Sequence, residues 1–199
     1  ARYALENNIT KASQFNFNTF LRKDFNPHIT GTGGVNLKIY KGEHYKEMKD
    51  LLGSNYWLDL DQYAQRDFPG DSSTAQNDLN NPNRKIYVGD KYGYNYAAHI
   101  NKLNVWGQAE FTYDKFDFYA GLSYTAVQYW RAGYMKNGRH PDNSYGKSTV
   151  YNFNNFGVKG GFTYKITGRH YASVNGFFQS RAPFYTNFFV SAIKFMNGP

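Results

Sequence analysis

Between Tyr129 and Lys147 the chain sets aromatic rings beside cations: Tyr129, Trp130, Arg131, Tyr134, Lys136, Arg139 and Lys147. Ring faces stack on sugars, and guanidinium and ammonium groups attract anions. With Trp57 from an earlier loop, this run is therefore a candidate docking surface for an acidic or sugar-like ligand. The same charges suit contact with anionic lipid or plain solubility, and on charge alone we favour that simpler reading. Glu43, His44 and Glu47 are metal-ligand types, but the HExxH spacing is missing and no further His is near in sequence, so solvated charge is their expected role. Asp59 and Asp61 lack the DxDxDG continuation of a calcium loop. His28, His99, His140 and His170 are scattered over turns and strand ends. No GxSxG elbow occurs, and GTGG at 31–34 lies inside an extended run instead of ahead of a helix. Those glycines point to close packing or sheet curvature. We expect no metal, no cofactor, no catalytic residue and no enzyme activity.

The elements that must position these side chains are read from parity. Upstream of Asp114 the apolar positions are odd: Leu103, Val105, Gly107, Ala109, Phe111 and Tyr113, with Trp106 out of phase. Downstream of Lys115 they are even: Phe116, Phe118, Ala120, Leu122, Tyr124 and Ala126. Period two is a strand with one apolar and one polar face, and a two-residue hairpin loop at Asp114 and Lys115 requires the flip. A second hairpin joins Phe15, Phe17, Leu21 and Phe25 to Ile29, Val35, Leu37 and Ile39 across Asn26, Pro27 and His28. A third joins Phe156, Val158, Phe162, Tyr164 and Ile166 to Ala172, Val174, Gly176 and Phe178 across Thr167, Gly168 and Arg169, where Gly168 can take a positive φ. The strands are expected over about 14–25, 29–40, 97–113, 116–130, 150–166 and 170–181, with a possible further one over 2–8. Long loops fill 41–96, 131–149 and 182–199. Within the first, EHYKEMKDLLG spaces Tyr45, Met48, Leu51 and Leu52 like a short helix capped by Gly53. NYWLDLDQY reads as a strand-like lid segment.

The chain of 199 residues carries a formal charge of +8 and 20% aromatic residues, with no Cys. No run approaches the roughly 18 apolar residues of a membrane helix, and a mean hydropathy of -0.72 is compatible with strands that show lipid only at every second residue. The arms are long enough for the roughly 9 to 11 residues with which a tilted strand crosses hydrocarbon. Short turns at one end and long loops at the other are the asymmetry of an outer-membrane barrel. Tyr113, Tyr119, Tyr124, Tyr129, Trp130, Tyr164 and Tyr171 resemble interfacial aromatic girdles. Gln108, Glu110, Asp117, Lys159 and Lys165, with Asn175 and Gln179, would then face a water-filled lumen. A soluble antiparallel sheet over a core produces the same alternation. About six strands fall short of the roughly 8 that close the smallest barrels, so the expectation is a segment of a larger wall.

The ordered series LLGSNYWLDLDQYAQRD, QNDL, VGDKYGYNY, VWGQAEFTYDKFDFYAGLS, YWRAGYMKNGRH, NSYGKS, FGVKGGFTYKITGRHYASVNG and RAPFYTNFFVS resembles the barrel of Bacteroidetes-type TonB-dependent outer-membrane receptors, over roughly 14–191. The resemblance implies an all-β, antiparallel, up-and-down transmembrane barrel segment with long extracellular loops, part of a wall of about 22 strands around an N-terminal plug. It implies a Gram-negative outer membrane, lipid and lipopolysaccharide as surroundings, a TonB complex as energy source and, in glycan-importing relatives, a surface lipoprotein lid. Import of a scarce solute, whether glycan, peptide or metal chelate, is the implied function. Neither a plug nor an energy-coupling segment stands in these 199 residues. The rival is a soluble aromatic and basic β-domain binding glycan or single-stranded nucleic acid by stacking, which needs ring faces on a wet, basic surface. Most strand aromatics here share the apolar phase, with Tyr119, Phe153 and Phe177 as exceptions, so nucleic acid is not expected as a partner. A surface-exposed adhesive barrel is a third possibility.

Overall fold

The computed structural model describes residues 3–188. In chain order the elements are β1 (Leu5–Asn26), β2 (Ile29–Asp50), β3 (Trp57–Leu58), α1 (Gln62–Asp67), β4 (Lys85–Ile86), β5 (Lys91–Thr112), β6 (Phe116–Gly133), β7 (Gly146–Lys147), β8 (Tyr151–Thr167), β9 (His170–Gln179) and α2 (Tyr185–Phe188). Six long antiparallel strands follow one another in the order β1-β2-β5-β6-β8-β9, with β7 beside β6 and β3 paired to β4 apart from the sheet. The fold is all-β and up-and-down. Among the described residues β1 and β9 do not pair with each other, so the sheet is open.

The three tight turns lie where parity put them. Thr112 pairs with Asp117, and the Tyr113 amide donates to the Phe116 carbonyl at 3.0 Å, leaving Asp114 and Lys115 as the loop. Pro27–His28 and Gly168–Arg169 connect the other two pairs. Gly168 does not take the positive φ anticipated for it; Gly53, Gly70, Gly89, Gly93 and Gly146 do. These turns share one end of the sheet, and the connections 51–90 and 134–150 share the other.

Alternation sorts the side chains onto two faces. Leu21, Gly33, Gly107, Leu122, Val158 and Phe178 form one row across all six long strands. Thr19, Val35, Val105, Tyr124 and Phe156 form the next row, and Ile29, Phe111, Phe118, Phe162 and Val174 another nearer the turns. Among the described residues nothing covers this apolar face: Leu21 is 74% exposed, Leu122 69% and Phe178 71%. The opposite face carries the rows Asn18, Asn36, Asn104, Thr125, Asn155 and Asp24, Thr30, Glu110, Tyr119, Gly161, Asn175. Trp106, out of phase in the sequence, stands on this polar face. A Cβ on its register partner Gly34 would lie 2.9 Å from the indole nitrogen, so glycine there makes room for the ring.

The strands run further toward the loop end than expected. β1 absorbs the possible extra strand at 2–8, and β2 continues to Asp50 through the segment read as a helix. Tyr45 and Met48 stand on opposite faces of β2, not on one helical stripe. The flanking strands decide this: β2 is paired to β5 as far as Glu47 and to β1 as far as Asp50. Among the described residues the hydrophobic core cluster is here, where Met48, Leu51, Ile86 and Tyr92 meet under the loop with Trp57 packed against them; Met48 is 1% and Ile86 0% exposed. Gly53 takes φ 84, but after a strand instead of a helix. Of the third long loop, 189–199 lies outside the described residues.

Candidate functional site

β6 delivers the aromatic and basic run to the loop end, and its alternation divides the run. Tyr129 and Arg131 share the face of Ser123 and Thr125; Trp130 shares the face of Leu122 and Tyr124. Tyr129, Trp130 and Arg131, grouped in the sequence as part of one docking surface, therefore stand on two faces.

On the polar face Arg131 lies over the Tyr96 ring at 4.7 Å and donates from Nη1 to the Ser144 carbonyl at 3.0 Å. Its backbone amide donates to Ser148 Oγ at 2.9 Å, so the guanidinium and the second loop are held together. Tyr96 in turn stacks on His44 at 5.0 Å, and His44 Nδ1 lies 3.2 Å from Thr10 Oγ1. Tyr129 contacts Phe153 at 5.5 Å and the edge of Tyr185 at 5.8 Å, and its hydroxyl donates to the Pro183 carbonyl at 3.1 Å. This is a cation and ring cluster at the mouth of the polar face. Rings flanking a planar cation present stacking surfaces of the kind that hold sugars or other flat polar solutes.

Below it the polar face is a connected network. Asn36 Nδ2 donates to Asn104 Oδ1 at 2.9 Å, Asn104 Nδ2 to Thr125 Oγ1 at 2.8 Å, and Asn155 Nδ2 to the Thr125 carbonyl at 3.3 Å, a ladder across four strands. Gln108 donates to Glu110 at 2.6 Å, Lys165 pairs with Asp117 at 2.8 Å, and Tyr119 donates to Asn175 at 3.1 Å. Gln108, Glu110, Asp117, Lys159 and Lys165 thus share one face, together with Asn175 and Gln179. The ladder was open to sequence reasoning through Asn at matching polar-phase positions, and it was overlooked. The seven residues compared to a girdle do not form one belt: Tyr113, Tyr124, Trp130 and Tyr164 are on the apolar face, whereas Tyr119, Tyr129 and Tyr171 are on the polar one.

The metal-ligand types serve structure. Glu43 and His44, adjacent on β2, point to opposite faces, and Glu43 pairs with Lys41 at 2.7 Å. Glu47 stands opposite Lys91 in the register. Asp59, 2% exposed, accepts from Asn77 Nδ2 at 2.9 Å, the Gly93 amide at 2.9 Å and Arg84 Nη2 at 2.7 Å, three hydrogen bonds that fasten the first loop to β5. Asp61 caps α1 through the Tyr63 and Ala64 amides and lies 3.9 Å from Arg139 of the second loop. The two loops are joined further by Leu79 N to the Lys136 carbonyl at 2.7 Å and Gly138 N to the Gln76 carbonyl at 2.8 Å. In the exposed turn at Asp71, hydrogen bonds from Ser73 and Thr74 hold the carboxyl down at about 2. Trp57 sits in this cap, against the core under it instead of beside Arg131. His28 stacks on Tyr113 at 5.0 Å and His99 on Trp130 at 4.8 Å. Comparisons with protein-family models, curated proteins and solved structures returned no match.

Proposed function

We propose that the chain is part of the wall of an outer-membrane β-barrel of the TonB-dependent receptor type, taking a scarce glycan, peptide or metal chelate across a Gram-negative outer membrane. The observation that carries this reading is the two-faced sheet. Uncovered Leu, Val and Phe rows run across six strands on one side, and an amide, carboxylate and ammonium network runs across them on the other. In water such an apolar face is an aggregation surface, whereas against hydrocarbon it is a stable one. Strands are the alternative to helices for crossing a bilayer, because their backbone groups are satisfied between neighbours. The polar face would line the lumen, where a plug would sit, and the joined loops with the Arg131, Tyr96 and Tyr129 cluster would meet the solute at its outer mouth.

These 199 residues hold no Cys, so each replacement adds one thiol to the wall segment, and the full protein without a replacement is the labelling blank. Leu122→Cys, Val158→Cys, Ser123→Cys and Lys159→Cys are made in the full protein in its native membrane. A charged maleimide is expected to label positions 123 and 159 while sparing 122 and 158, where a thiol in hydrocarbon stays protonated, and to label all four once the protein is denatured. Equal labelling of all four in a soluble protein would overturn the barrel and favour a soluble sheet that binds glycan or single-stranded nucleic acid.

A further inference from the structure

We propose that the apolar side of the sheet, just beyond its Leu and Phe rows toward the loops, is a docking site for the phosphate groups of a lipid headgroup, formed by Lys11, Lys41 and Lys147 beside Trp130. The proposal rests on the barrel reading and deepens it by naming a partner and the residues that hold it.

The register fixes the level of these groups. On this face the row Phe17, Leu37, Leu103, Ala126 is followed by Phe15, Ile39, Asn101, Gln128, then by Ser13, Lys41, His99, Trp130, then by Lys11, Glu43, Ala97, Ala132, Lys147. Same-face rows are about 6.6 Å apart, so the lysines begin about 13 Å above Leu37. Apolar rows give way to amides, then to a tryptophan, then to ammonium groups. That is the order of a bilayer read outward from hydrocarbon to headgroup.

The charge is one-sided. Glu43 sits in the combined field of Lys41, Lys91 and Lys11, and its carboxylate is already engaged by Lys41 at 2.7 Å. Lys11 and Lys147 are exposed, and the Lys147 ammonium lies 5.3 Å from the Trp130 ring, which stacks flat on His99 at an interplanar angle of 5°. On the polar face at the level of Lys11 and Lys147, the row is Ala12, Gly42, Ala98 and Arg131, whose single cation is tied to Tyr96 and Ser144. The exposed cations at this level, Lys11 and Lys147, with Lys41 held by Glu43 between them, therefore stand on the apolar side, where a multiply charged phosphate headgroup fits and a lumen solute does not.

The test uses the full protein in bilayers of phosphatidylcholine with and without lipid A, with native mass spectrometry of the lipid retained. The double variant Lys41→Gln, Lys147→Gln removes two ammonium groups from the site. Lys38→Gln, Lys102→Gln removes a facing pair from the polar side. Lipid A affinity is expected to fall about fivefold for each site lysine and about thirtyfold for the pair, with the polar-side variant unchanged. Dephosphorylated lipid A should be retained no better by wild type than by the site variant, and inorganic phosphate should not displace lipid A. Equal retention by the two double variants would overturn the proposal, as would full displacement by inorganic phosphate, which would mark a site for a soluble anion. A protein that stays in the bilayer with unchanged retention sinks this inference alone; one that does not enter the bilayer sinks the barrel reading with it.

Discussion

Leu122 and Ser123 are neighbours in the chain with opposite surroundings, and the whole functional reading depends on that contrast. Arginine on a lipid-facing barrel position near the midplane costs about 2–4 kcal/mol, and on a lumen-facing position little. Leu122→Arg and Val158→Arg are thus expected to deplete assembled protein from the outer membrane, while Ser123→Arg and Lys159→Arg leave it near wild type, as read by heat-modifiable gel mobility. The assignment of residues to faces was legible, since period two places Gln108, Glu110, Asp117, Lys159 and Lys165 together without any tertiary knowledge. The same rule separates Trp130 from Tyr129 and Arg131, and reading those residues as a group let composition override periodicity. The role of Asp59 was not legible. Its partners Asn77, Arg84 and Gly93 are brought to it by the folding of a loop, and no local spacing encodes that.

At the scale of elements, β2 shows where local patterning yields to pairing. Tyr45, Met48 and Leu51 have helical spacing, but β5 pairs with the segment as far as Glu47 and β1 as far as Asp50. Helix propensity is a weak prior and the two ladders outweigh it. The tight turns were legible because parity must flip across them; the joining of the two loops was not, because it lies between segments far apart in sequence. Gly138 is the contact point of that joining: a Cβ there would meet the Ser73 carbonyl and crowd those of Thr74 and Gln76. Gly138→Val is expected to separate the loops without disturbing the strands. Limited proteolysis should then cut within 51–90 at a rate well above wild type, with the β-sheet circular dichroism signal retained. Unchanged cutting would mean that the loops hold together by other contacts. Asp59→Ala tests the same cap from its base, since it strips Arg84 of its buried carboxylate; losing one member of a buried pair costs about 3–5 kcal/mol, less here because Arg84 is partly exposed. Faster cutting of the same loop is again the expected outcome.

Among the described residues the molecule is a sheet with an uncovered apolar face and two edge strands, β1 and β9, each paired on one side, and these features have to be explained together. A soluble protein resolves an apolar face by covering it, yet the cluster of Met48, Leu51, Ile86 and Tyr92 lies under the loops, and no described residue covers the rows through Leu122 and Phe118. Lipid resolves the face but makes the edges worse, because an unsatisfied backbone group in hydrocarbon costs several kcal/mol and every second amide of β1 turns away from β2. At 22 residues β1 is among the longest strands of the sheet, so its free edge is the larger of the two liabilities. The barrel reading therefore requires further strands of the wall beside β1 and β9. In the membrane-embedded full protein, the outward-turned amides of β1 and β9 are expected to exchange with deuterium as slowly as the doubly paired amides of β5 and β6. Fast exchange confined to β1 and β9 would show that the edges stay open, and an open edge in hydrocarbon is the one arrangement the barrel cannot contain.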